Sequence, residues 1–113
     1  MADFRMTTSV AKVLRLFLDD PAAPRYGFEL MQLTRFPSGT LYPILARLER
    51  AGWISGQPER IDAAAEGRPP RRLYSLTTEG AQAARAELAE LSAQLLPPGH
   101  PGRLRPEGGP AWA

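Results

Sequence analysis

Four residues of the segment FPSGTLYPILARLERAGW, residues 36–53, carry chemistry at helical spacing: Thr40, Pro43, Arg47 and Arg50. At about 100° per residue, steps of three and four place them on one side of a helix. Leu41, Ile44, Leu45 and Leu48 fall on the opposite side, as a buried stripe would. The outward side holds a hydroxyl, an apolar ring and two guanidinium groups but no carboxylate; Glu49 lies on one flank with Tyr42, and Ser38 and Gly39 stand just ahead. Small polar residues at a helix N-terminus, followed by arginines, fit insertion into a DNA major groove, with a phosphate favoured at the free N–H groups. A planar guanidinium matches phosphate oxygens and the guanine edge. Arg47 and Arg50 read either as solvated charges or as DNA contacts. Tyr42 reads either as a half-buried ring or as a hydroxyl that reaches a phosphate.

Pro43 sits awkwardly in this helix, because proline lacks the backbone N–H and clashes with the preceding turn. The first four N–H groups of a helix have no intrahelical partner. With the cap at Gly39 or Thr40, Pro43 is expected in the first turn. There its ring either meets a thymine methyl or sugar, or only fixes the helix start.

The flanking segments supply the frame. Thr7, Thr8 and Ser9 are N-cap candidates for a first helix over about residues 8–18, with Val10, Val13, Leu14 and Phe17 as its buried stripe and Leu16 off it. DDPAAP ends that helix, a short second helix covers about residues 26–33, and TRFPS turns into the third, which stops at Gly52. WISGQ and RRLYSLT read as strands joined by the polar loop PERIDAAAEGRPP. Thr77 or Thr78 caps a final helix running to about residue 96, where Pro97 and Pro98 stop it. Helices joined by a tight turn and followed by a β-hairpin make a winged helix-turn-helix, mainly α with a small β-hairpin. The expected divisions are a DNA-binding domain over 1–77, a C-terminal dimerisation helix over 78–96 and a disordered tail over 97–113.

In the loop, Arg68, Arg71 and Arg72 lie within five residues beside Gly67 and two prolines. A phosphate or minor-groove contact is expected there; the other reading is solubilisation of an edge hairpin. Arg25 and Arg35 flank the second helix, where either could touch backbone. In the last helix Ala81, Ala84, Leu88, Leu91 and Leu95 repeat at alternating steps of three and four, an a/d seam over two heptads. So short a seam must pack on something. A homodimer is expected, with Ala84, Leu88, Leu91 and Leu95 facing Val10, Leu14 and Phe17 of a partner's first helix; the alternative is an intramolecular core stripe.

Composition bounds the rest. At 113 residues with 43% apolar content, one modest domain is expected. No run approaches the length of a membrane span, and the N-terminus lacks a signal-peptide layout, so the expected location is cytoplasmic. There is no cysteine and one histidine, His100, so disulfides, thiol chemistry and a histidine-based metal site are not expected. No nucleophile–base set, phosphate-cradling glycine loop or metal cluster is legible, so neither an enzyme nor a cofactor is expected. Thirteen arginines stand against one lysine, Lys12, at a net charge of only +2. A coding bias accounts for much of that skew, and position along the chain carries more information than the total.

YGFELMQL, SGTLYPILARLERAGWI and GRPPRRLYSLTTEG, in this order and spacing, resemble the PadR family of bacterial transcriptional regulators. The similarity runs over residues 8–96, and the length resembles the short subfamily with a single helix after the wing. The resemblance implies a homodimeric winged-helix repressor whose third helix reads an inverted repeat in double-stranded DNA. Tyr26, Ser38, Thr40, Tyr42 and the Gly67-Arg68-Pro69 wing match positions associated with DNA contact. The turn before the third helix is shorter than is common in the family, and the wing has one proline more. Some short members hold flat aromatic compounds against a tryptophan in the last helix. Here Trp53 belongs to the first strand and Trp112 to the tail, so that clamp is not supported. Phe4, Phe17 and Leu16 are candidates for lining an apolar dimer cavity. For the signal, a small-molecule effector, a nucleotide and a partner protein all stay open. A second class is a winged-helix protein-interaction module without DNA binding, which would show an apolar or acidic third-helix face.

Overall fold

The computed structural model describes residues 5–97; Phe4, His100, Trp112 and the tail from residue 98 lie outside the described residues. The chain runs α1 (Thr8–Asp19), β1 (Arg25–Tyr26), α2 (Gly27–Thr34), α3 (Ser38–Arg50), β2 (Ile54–Pro58), α4 (Ala63–Glu66), β3 (Arg72–Leu76) and α5 (Thr78–Leu95). The strands form one antiparallel sheet in the order β1-β3-β2, with Ile54 opposite Leu76 and Pro58 opposite Arg72.

Caps set the helix starts. The Thr7 hydroxyl accepts the Val10 N–H at 3.2 Å and begins α1, while the Thr77 hydroxyl accepts the Gly80 N–H at 2.8 Å and begins α5. The α2–α3 turn needs only Arg35, Phe36 and Pro37, because Arg35 adopts left-handed backbone at φ 62 and its N–H returns to the Met31 carbonyl. Buried Thr34 accepts the Phe36 N–H at 3.1 Å and donates to the Leu30 carbonyl at 2.7 Å, tying the turn to α2. After α3, Gly52 at φ 79 reverses the chain into β2.

The core draws on every long element: Val10, Leu14 and Phe17 of α1, Leu30 of α2, Leu41, Leu45 and Leu48 of α3, Ile54 and Tyr74 of the sheet, Ala84 and Leu88 of α5. Each large side chain so buried contributes on the order of 1.5–3 kcal/mol. The start of α5 lies directly against Trp53, the residue before β2. A methyl group on Gly80 would collide with the backbone carbonyl of Trp53, and the Thr77 hydroxyl donates to the Gly52 carbonyl at 2.7 Å.

Three expectations change. The cap of α3 is Pro37 and Ser38 is its first residue, so Pro43 is the sixth and lies beyond the first turn. Its missing N–H therefore leaves the Gly39 carbonyl without an i+4 donor, on a face where water can reach it. Second, Val10, Leu14, Phe17, Ala84 and Leu88 lie inside the chain's own core, each at most 5% exposed, and are not a seam open to a partner. The α5 stripe packs on α1 of the same chain, the alternative noted above. Leu91 is half-buried, and only Leu95, at 66% exposure, stands free. Third, β1 and α4 are additional elements. Tyr26, expected in α2, pairs instead with Leu73 of β3, and Asp62 caps a single helical turn in what reads as a plain loop.

Candidate nucleic-acid interface

The surface of α3 follows its periodicity. Leu41, Ile44, Leu45 and Leu48 are buried, while Ser38, Gly39, Thr40, Pro43, Arg47 and Arg50 are exposed. Pro37 offers no side-chain cap, and the first bonds back to its carbonyl come from Thr40 and Leu41, at 2.9 and 3.0 Å. The Ser38 and Gly39 N–H groups thus face solvent at the positive end of the helix dipole, a site that favours an anion. A methyl group on Gly39 would touch nothing within 4 Å, so the fold itself does not call for glycine there. Arg47 and Arg50 form no ion pair among the described residues. The flanking Glu49 is neutralised by Arg72, whose Nη2 donates to it at 2.8 Å. Tyr42 is 39% exposed, with its ring laid against Gly27 at the start of α2. It is both a packing residue and a surface hydroxyl.

The wing is organised around Glu59, which sequence reasoning did not single out. Its carboxylate pairs with Nη1 of Arg68, accepts the Arg71 backbone N–H at 2.9 Å and accepts the Tyr26 hydroxyl at 3.0 Å. The Glu59 N–H returns the bond to the Arg71 carbonyl at 2.8 Å, extending the β2–β3 ladder past Pro58 and Arg72. The Arg68 guanidinium and then the Arg71 N–H hold the Glu59 carboxyl at about 2, far below its usual range. The Tyr26 phenol is pushed up by the carboxylate it donates to, and the Arg68 guanidinium is pushed up by the same partner. The available signal was positional: Glu59 follows the last paired residue of β2, where a carboxylate reaches back across the hairpin.

The expected contact residues therefore stand in different states. Ser38, Gly39, Thr40, Pro43 and Arg47 share the open α3 face. Arg71 is exposed, with its guanidinium 5.5 Å from the ring centre of Phe28. Tyr26 and Arg68 are joined through Glu59, and Arg72 is held by Glu49. Arg25 has a structural post: it donates to the α1 carbonyl of Leu16 at 3.2 Å and pairs with Glu29 at 3.0 Å. Among the described residues no group of His, Cys, Asp or Glu could hold a metal ion, and no helix is long and apolar enough to cross a membrane.

A helix with an open, cationic outer face, set between a three-residue turn and a hairpin, defines a winged helix-turn-helix protein. Residues 16–86 match the model of the transcriptional regulator PadR-like family, and the chain belongs to that family. It is a family of regulators and not of enzymes. A search of curated proteins finds no match. Among solved structures, reduced AbfR bound to DNA is similar at 25% identity and a TM-score of 0.65, over 86% of this chain and 62% of that one; AbfR comes from Staphylococcus epidermidis. The protein smu.1704 of Streptococcus mutans UA159 is similar at 23% identity and a TM-score of 0.60, over 82% of this chain and 86% of that one. The transcriptional regulator PA4135 is similar at 22% identity and a TM-score of 0.57, over 69% of this chain and 52% of that one. The last two speak to the fold alone. The chain spans about half the length of PA4135 and 62% of the AbfR chain.

Proposed function

We propose that the protein is a sequence-specific DNA-binding transcriptional regulator, a repressor that grips an inverted repeat as a homodimer. The observation that carries this reading is the α3 N-terminus: two free amides, a glycine the fold does not need, and exposed Thr40, Pro43 and Arg47 with no unpaired carboxylate. In this reading the Ser38 and Gly39 amides take a phosphate, and Thr40, Pro43 and Arg47 face base edges. Tyr42, Tyr26, Arg68 and Arg71 meet the flanking backbone. The DNA-bound structures of AbfR support the partner. An interaction module would present an apolar or acidic face, and α3 presents neither.

Two copies are needed to present α3 to half-sites about 34 Å apart. Leu16, Leu33, Leu91, Leu95 and Leu96 line an apolar groove of roughly 520 Å³ between α1 and α5, and this is the surface we assign to the second copy. AbfR has been solved in disulfide-formed and overoxidized states. With no cysteine in its 113 residues, this chain has no thiol to answer in the same way.

A gel-shift on the region upstream of its own gene tests the reading. Retardation is expected at low salt, with log affinity falling linearly in log salt by about 0.9 per neutralised phosphate. Absence of retardation at low salt contradicts it.

A further inference from the structure

The wing carries four arginines, Arg60, Arg68, Arg71 and Arg72, yet one of them, Arg68, is matched to an internal carboxylate that is itself almost covered. The Glu59 side chain is 8% exposed and that of Arg68 31%. Only Nη1 of Arg68 is engaged, by Glu59 and by the Pro69 carbonyl; Nε and Nη2 have no partner among the described residues. Seen from a distance the pair carries no net charge. At contact it still offers N–H donors.

We propose that Glu59 is a specificity-determining residue, which withholds the charge of Arg68 from non-specific duplex while leaving its free N–H groups to a seated operator. The inference rests on the DNA-binding reading above. Non-specific binding is driven almost wholly by net positive charge and counterion release, so a neutral pair adds little to it. A specific complex presses the wing against the backbone, where a phosphate at hydrogen-bond distance can take the free edge of Arg68 while Nη1 stays on Glu59. Glu59 therefore lowers binding to arbitrary sequence more than binding to the operator. The Tyr26 hydroxyl and the Arg71 N–H hold the carboxylate in place for this role.

The test is fluorescence anisotropy over a salt series, on a random-sequence duplex and on the upstream duplex the wild type retards. Glu59→Gln keeps the shape and removes the charge. Its random-duplex slope should steepen by about 0.9, which raises affinity about eightfold at 0.1 M salt. The ratio of upstream to random affinity should fall. Adding Arg68→Ala should abolish the gain. The double variant carries neither charge, so its random-duplex slope should equal that of the wild type, a readout that stands even if Glu59→Gln alone fails to fold. An unchanged slope in folded Glu59→Gln, a gain that survives in the double variant, or a double-variant slope about 0.9 below that of the wild type overturns the proposal. A wild type that binds no duplex overturns the DNA-binding reading, and this one with it. A wild type that binds while Glu59→Gln behaves identically overturns this one only.

Discussion

Two glycines of this chain separate what the fold requires from what it leaves open. Gly80 is covered: any side chain there meets the backbone carbonyl of Trp53, and backbone cannot swing aside as a side chain can. Gly80→Ala should push α5 away from the Trp53 backbone and lower stability by about 1–3 kcal/mol, the usual range for overpacking. For a chain of this size each kcal/mol lowers Tm by about 4–8 °C, so a thermal melt reads it. Gly39 is the opposite case, exposed and with nothing within 4 Å of an added methyl. Glycine inside a helix costs about 1 kcal/mol relative to alanine, so its presence there has no stabilising rationale within the chain. Close approach of something outside the chain supplies one.

At the scale of elements, α5 is where the burial pattern corrects the heptad reading. Spacing alone marks Ala84, Leu88, Leu91 and Leu95 as one seam, because an intramolecular stripe and a dimer seam share the same period. The structure divides it, burying Ala84 and Leu88 on α1 of the same chain and leaving Leu95 exposed beside Leu91. Leu95→Glu should therefore convert a dimer to monomers in sedimentation velocity while leaving Tm of the monomer fold unchanged; a dimer that persists contradicts the assigned surface. The long helices were legible because each combines a cap with a stripe: Thr7 with Val10, Val13, Leu14 and Phe17, and Thr77 with Ala84 and Leu88. β1 was not legible, since two residues show no period and its partner in β3 lies far along the chain. The turn α4 was hidden in an alanine run whose only mark is the Asp62 cap. The start of α3 was misplaced by two or three residues because Pro37, which carries no capping side chain, reads as part of the turn.

Across the whole molecule, charge is arranged more than it is accumulated. A net charge of +2 conceals an α3 face whose arginines are unpaired among the described residues, while Glu49 on its flank and Glu59 in the wing each hold an arginine of the hairpin. The α3 face was legible because periodicity places Thr40, Pro43, Arg47 and Arg50 together, whereas the Glu59 clasp depends on the hairpin register and on Tyr26 arriving from β1. Gly39→Ala tests the proposed meeting of the α3 N-terminus with DNA without disturbing the core. Anisotropy titration of this variant and the wild type on the upstream duplex, each paired with a thermal melt, is the direct measurement. An equal or higher Tm with affinity lower by about tenfold, which is about 1.4 kcal/mol, is the predicted result. Unchanged affinity in a folded Gly39→Ala protein would contradict the account.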